Sequence, residues 1–257
     1  TAELERIIND DAKDTSDLDR LRPALEAEAV RGLEIAREEG RQEILNRPDR
    51  GLAGGYNHDA QTHGFIRTNS GRVIRIDDPR WCFANGQVDI QDIAHALSHT
   101  CRFGGHASGF YSVAQHVVLC AREAEHGDKH ATLQHDSPEA YMGDLVSPLK
   151  RLTMIRPAWT ALEREWDLVI RSAFGIRAPS SNIIAQEERI KAIDILMLGR
   201  ELTDLLPFGA EDAEKIVYAD DRRPSDLPVI DWLWTPLHAK QQFLAEFSAL
   251  TGQKATP

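Results

Sequence analysis

The residues best suited to chemistry lie in one stretch, His135-Asp136-Ser137-Pro138-Glu139-Ala140-Tyr141-Met142-Gly143-Asp144. It carries one imidazole and three carboxylates in ten residues, and the next cation along the chain is Lys150. A solvated charge run normally interleaves both signs. Hard ligands without a local cation point to a positive charge from elsewhere, and a metal ion is the usual source. A His-Asp pair is weak evidence by itself, so distant elements must supply partners.

Three helical segments can do so. Over 112–126, Val113, His116, Val117 and Cys120 recur at i, i+3, i+4 and i+7, which turns His116 toward the interior. Ser112 is the expected N-cap and Gly127 the expected residue beyond the C-terminus. Taken alone, His116 fits a core histidine satisfied by one hydrogen bond as well as a ligand. Over 181–206, Ile190, Ile193, Met197, Leu198 and Leu202 form an apolar face that includes Asp194. Asp194 reads as uncompensated on its own helix, and a buried carboxylate must be paired or bind metal. A third helix over 129–136 should end near His135-Asp136, because Pro138 disfavours helical geometry at Ser137. Glu139 then falls in the next turn. Two imidazoles and two carboxylates (His116, His135, Asp136, Asp194) make a mixed set. It suits an octahedral Mn²⁺, Co²⁺, Fe²⁺, Ni²⁺ or Mg²⁺ better than a closed zinc site built from cysteines.

The helix over 90–101 carries His95 and His99 at i, i+4, a spacing able to chelate. No acidic partner completes a zinc pattern, so they read as hydrogen-bonded or surface histidines. Arg102 follows it, ahead of Gly104-Gly105, either capping carbonyls or reaching into a site to bind phosphate. Upstream, 65–76 is a hairpin around Asn69-Ser70-Gly71. Residues 157–174 form an amphipathic helix rich in aromatic and aliphatic residues, 207–234 a loop, and Thr235-Pro236 start a final helix that buries Phe243 and Phe247. Residues 1–46 have helical periodicity with 13 acidic and 7 basic residues. A breaker-rich linker near 46–55 separates a 1–50 helical extension from a 51–257 domain. His58 and His63 in that region read as solvated. The fold class is all-α, with a small hairpin ahead of the helices.

The chain has 257 residues and a net charge of −11. That charge argues against a nucleic-acid polymer as the main ligand, though not against a small phosphate ester. No apolar run approaches the roughly 20 residues of a membrane span. Three cysteines at no ligand spacing argue against a disulfide framework and fit a reducing cytoplasm. The chain opens at Thr1 without an initiator Met, read as removal or trimming. Its acidic first residues are not those of a secretory leader. The 157–174 helix and the N-terminal helices could pair copies of the chain into a dimer.

The order His…His-Asp…Asp resembles the HD superfamily of metal-dependent phosphohydrolases, over about 89–206. It is similar to the bacterial 5′-deoxynucleotidases, whose His-Asp-x-x-Glu-x-x-x-x-Asp pattern and proline-lysine loop read here as His135, Asp136, Glu139, Asp144, Pro148 and Lys150. A prophage-type branch, with phage dATP triphosphohydrolases sharing its frame, is closer. Its blocks read here as Ile93-Ala94-His95-Ala96-Leu97-Ser98, Cys101-Arg102-Phe103-Gly104-Gly105-His106 and Tyr111-Ser112-Val113-Ala114-Gln115-His116. The resemblance implies an HD-type helical bundle and one divalent ion, zinc included, held by His116, His135, Asp136 and Asp194. It implies catalytic roles for Glu139 and Asp144, the latter orienting water or touching the sugar. Arg102 and Lys150 would bind sugar and phosphate. Phe103 stands where the nucleotidases carry tryptophan, which affects base or sugar preference. The implied activity is removal of the 5′-phosphate from (deoxy)nucleoside monophosphates by a metal-activated water. The alternatives are a deoxynucleoside triphosphate triphosphohydrolase, a di-iron oxygenase needing spare ligands among His95, His99, His106 and His130, and a non-catalytic nucleotide sensor.

Overall fold

The computed structural model describes residues 65–176, 183–207, 209–216 and 222–253. The expected extension over 1–50, the linker, His58 and His63 lie outside them. The described part is mostly helical, with one small antiparallel sheet ahead of the helices.

That sheet is the expected hairpin. Strands β1 (Phe65–Arg67) and β2 (Val73–Arg75) pair with Ile66 opposite Ile74. The turn between them is fastened to the first long helix by Asp92. This buried carboxylate accepts hydrogen bonds from Ser70 N (2.9 Å), Ser70 Oγ (2.5 Å) and Thr68 Oγ1 (2.7 Å). A turn sequence that could slip in solution therefore has one register here.

Helices α1 (Pro79–Ala84) and α2 (Ile90–His99) follow. Asp89 caps α2 by accepting from Gln91 N at 2.8 Å, and Ile93, Ala94 and Leu97 are fully buried along its inner stripe. A 3₁₀ turn (Arg102–Gly105) leads to α3 (Val113–Glu123), where Ser112 is the N-cap as expected and accepts from Gln115 N at 3.2 Å.

The helix does not run on to His126 as its periodicity predicts. Ala124 turns extended, and the chain folds back through Glu125–Asp128 into α4 (Lys129–Leu133). The cause is tertiary. Asp128 is buried, accepting from Gln186 Nε2 (2.9 Å) and Arg189 Nε (2.6 Å), both on α8 (Ile183–Leu205).

Three short or medium helices complete the middle of the chain: α5 (Glu139–Met142), α6 (Ser147–Lys150) and α7 (Arg156–Phe174). Helix α7 buries Trp166, Val169 and Ile170 and ends at Gly175 in the left-handed region, φ 67°. The region 207–234 is not all loop. Helix α9 (Ala210–Ile216) forms after Gly209, whose carbonyl accepts from Asp212 N and Ala213 N, and Ala213 is fully buried. Good helix formers and one buried contact outweigh the flanking prolines.

The last helix, α10 (Pro236–Thr251), starts at Thr235 and Pro236 as expected. It packs against α2, α3 and α4, burying Phe243 and Phe247. Around it gather Ile74, Leu97, Val117, Leu133, Trp166 and Ile170 in one continuous core. Truncating any one of these large side chains costs about 2–5 kcal/mol. Helices α3 and α8 pack on each other, and that contact carries the site.

Candidate metal centre

His116 is fully buried on α3 with its ring turned toward α8. His135 and Asp136 lie just past α4, where the helix relaxes into i→i+3 turns. Gln134 N reaches Ala131 O, Ser137 N reaches Gln134 O and Glu139 N reaches Asp136 O at 2.9–3.2 Å. This is the bend expected before Pro138, and it brings His135, Asp136 and Glu139 to the wall of one cleft. Asp194 comes from the middle of α8, opposite His116.

The distances among these groups are those of ligands around a common centre. His116 Nε2 is 3.3 Å from Asp194 Oδ1 and 3.6 Å from Asp136 Oδ2. His135 Nε2 is 3.4 Å from Asp136 Oδ2 and 3.9 Å from Asp194 Oδ1. A charge-assisted hydrogen bond would be closer to 2.7–2.9 Å. Ligand atoms about 2.1 Å from one ion stand roughly 3.0 Å apart when cis in an octahedron, and about 3.4 Å in a tetrahedron. His135 Nε2 is buried with no hydrogen-bond partner. His116, His135 and Asp136 can hold a metal ion together. Asp194 Oδ1 closes the set from the other side.

Outer partners fix both imidazoles. His135 Nδ1 lies 2.7 Å from the Thr132 carbonyl, which can only accept. His116 Nδ1 lies 2.5 Å from Glu201 Oε1. Both Nδ1 atoms therefore carry the proton, and both Nε2 atoms face the carboxylates. Burial works against a charge on His116, as does Arg102. Cys120, Glu201 and Asp194 nevertheless hold its pKa well above the ordinary imidazole value. Burial likewise opposes ionised Asp194, and the two imidazoles outweigh it, keeping its pKa well below the usual carboxylate range. These shifts favour positive charge between the carboxylates, and a metal would displace protons on binding.

Asp194 has a cation on its own helix after all. Lys191, one turn earlier, places Nζ 2.5 Å from Asp194 Oδ2. The reading of an uncompensated carboxylate was wrong in that respect. Lys191 is well exposed and takes only Oδ2, so Oδ1 remains turned to the imidazoles.

The centre lies at the base of a cleft of about 830 Å³ whose walls include Arg102, Phe103, Glu139, Asp144 and Lys150. Arg102 does not cap carbonyls. Its Nη2 and Nε donate to Glu201 Oε2 (2.8 and 3.2 Å), and Nη1 is 3.5 Å from Asp136 Oδ2. Phe103 has φ 57°, which makes it the one non-glycine residue at positive φ among those described. Such a conformation costs on the order of 1–2 kcal/mol. It persists because Arg102 N donates to Tyr111 O and His106 N to Phe103 O, at 3.0 and 3.1 Å.

Burial and the neighbouring Asp136 push the Glu139 carboxyl well above its ordinary pKa, and Lys150 pulls it back. Lys150 Nζ sits 3.0 Å from Glu139 Oε1 and 3.4 Å from Glu163 Oε1. Glu139 Oε2 is buried and has no partner. Gly143, at φ 78° and ψ 160°, ends α5 in a conformation that a side chain would resist. Asp144 emerges from that turn onto the cleft wall, its pKa raised by burial.

Among the described residues, no second group of potential metal ligands accompanies the first. His95 and His99 stack on each other at 4.3 Å, with His99 Nδ1 against the His95 carbonyl. His130 packs on Phe247, and His106 is exposed.

Glu201 is the residue that sequence reasoning missed. It lies seven residues after Asp194, two helical turns along the same face, and is fully buried. The i, i+7 spacing of two acids on an otherwise apolar face was the available signal.

Over 141 residues the chain is 39% identical to the uncharacterized protein YfdR of Escherichia coli, covering 55% of this chain and 72% of that protein. This chain belongs to the YfdR family. The uncharacterized protein RCAP_rcc00048 of Rhodobacter capsulatus is 28% identical over 159 residues, 58% of this chain and 77% of that one. No protein-family model matches the chain. No described helix is long and apolar enough to cross a membrane.

Proposed function

We propose that this member of the YfdR family is a metal-dependent phosphohydrolase of the HD type, removing the 5′-phosphate from (deoxy)nucleoside monophosphates. The observation that carries the reading is the convergence of His116, His135, Asp136 and Asp194 at the base of a cleft that also holds a buried carboxyl and two cations. These four residues would hold the ion. When bound, a divalent ion supplies Lewis-acid activation of water and neutralises charge on a phosphoryl group.

The chain's own residues account for the rest. The unpartnered Oε2 of Glu139 can take a proton from the attacking water or give one to the departing 5′ oxygen, and burial, which raises its pKa, strengthens it as a proton acceptor. Lys150 anchors the other carboxyl oxygen and brings positive charge to the cleft wall. Arg102 lines the cleft with Nη1 3.5 Å from Asp136 Oδ2, where a donor can stabilise charge that builds on the phosphoryl oxygens. Asp144 and Phe103 form the walls against which sugar and base would rest.

The test is a phosphate-release panel of dNMPs, NMPs and dNTPs with Mn²⁺, Co²⁺ and Mg²⁺, run beside Asp136→Ala. Metal-dependent release of phosphate from monophosphates, lost with metal content in the variant, is the expected result. Release of triphosphate from dNTPs instead would move the assignment to the triphosphohydrolase. Unchanged metal content in Asp136→Ala would overturn the ligand set.

A further inference from the structure

One fully buried carboxylate joins the two halves of the site. Glu201 Oε1 accepts from His116 Nδ1 at 2.5 Å and from Tyr111 Oη at 2.8 Å. Its Oε2 accepts from Arg102 Nη2 at 2.8 Å and Nε at 3.2 Å. These donors come from three places in the chain: the 3₁₀ turn, the segment before α3, and α3 itself. Four donors saturate the carboxylate, so burial carries no unpaired charge. An acceptor at Nδ1 leaves Nε2 of His116 free of a proton once a metal takes its place. A single carboxylate oxygen accepting from both Nε and Nη2 leaves Nη1 of Arg102 as the guanidinium nitrogen near Asp136, 3.5 Å from its Oδ2.

We propose that Glu201 is a positioning residue shared by the metal ligand His116 and the cleft arginine Arg102, so that metal affinity and anion binding weaken together when its charge is lost. The inference rests on the metal site proposed above and adds a coupling that the ligand set does not contain. Ordinarily an outer partner serves one ligand. Here the same carboxyl group also aims the cation that would meet the substrate's phosphate.

The first measurement uses the unaltered chain loaded with Zn²⁺, so it does not depend on a variant folding. In ¹⁵N-resolved spectra of the histidine rings, His116 should show an Nδ1 that carries a strongly deshielded proton and a metal-bound Nε2. Zn²⁺ on Nδ1, or an Nδ1 proton exchanging freely with solvent, overturns the proposal. The second measurement titrates Mn²⁺ by calorimetry into the unaltered chain, Glu201→Gln and Tyr111→Phe. It then titrates inorganic phosphate at saturating Mn²⁺. Glu201→Gln should weaken Mn²⁺ binding about 10–100-fold and weaken phosphate binding as well. Tyr111→Phe removes one donor to the same carboxylate but keeps the backbone bond from Arg102 N to Tyr111 O and the Glu201 bonds to the His116 and Arg102 side chains, and should change both by less than about threefold. Equal losses in the two variants would mean a general packing role and overturn the proposal. So would a Glu201→Gln protein that binds Mn²⁺ and phosphate normally. If the unaltered chain binds no divalent ion, the metal-site reading itself fails. If it binds one and Glu201→Gln is indifferent, only the coupling fails.

Discussion

Arg102→Leu isolates the energetics of this buried charge network. In the native chain, Arg102 supplies two of the four donors to Glu201, and the Arg102 side chain is 12% exposed against 0% for Glu201. The substitution removes two charge-assisted hydrogen bonds, each worth about 1.5–3 kcal/mol. It also leaves a carboxylate in the interior with only His116 and Tyr111 against it. Breaking a buried pair from one side costs about 3–5 kcal/mol. The remaining donors keep the figure near the lower end, so we expect about 3 kcal/mol. That is a large share of the roughly 5–15 kcal/mol available to a folded domain. The assay is urea unfolding at pH 7 in chelator-treated buffer, comparing midpoints at constant m-value. The double variant Arg102→Leu, Glu201→Leu should recover part of the loss, since no charge is then left unpaired by Arg102. A single-variant loss below about 1 kcal/mol, or a double variant less stable than the sum of the singles, would refute the account of Glu201 as a saturated buried anion.

Two further outcomes follow from the geometry. Glu139→Gln should keep its metal and its fold but lose about 10²–10⁴-fold in kcat, measured by phosphate release beside metal content; full turnover would remove Glu139 from the mechanism. Asp128 is held below the usual carboxylate pKa first by Arg189, with Gln186 assisting against the effect of burial. A depressed folded-state pKa gives stability that is present above the unfolded value and lost as pH falls through the folded one. Asp128→Asn should therefore be less stable than the native chain at pH 7, with the gap in urea midpoint narrowing as pH falls below about 3.8 and on through the lower folded-state value; a gap that stays constant as the pH is lowered would count against the linkage.

How far the sequence went differs from residue to residue. The hairpin, the Ser112 and Thr235 caps and the inward direction of His116 are set by local chemistry, and each stands where the pattern placed it. The early end of α3 was not legible, because Gln186 and Arg189 fix Asp128 from 58 and 61 residues away. Helix α9 was hidden among prolines, since the burial of Ala213 is a tertiary event. The pairing of Asp194 with Lys191 was legible in principle, at a spacing of three residues on one helix.

Sequence by itself determined which residues could be ligands and that they would face inward, because side-chain direction along a helix is periodic. Their meeting was decided only by the tertiary structure. The packing of α3 against α8 sets the 3.3 Å between His116 and Asp194, and the bend before Pro138 brings His135 and Asp136 to the same point. Glu201 belongs mainly to that second category. Its i, i+7 spacing from Asp194 marks it along the helix, but does not tell what its carboxylate binds. Only the fold places His116 and Arg102 on its two oxygens.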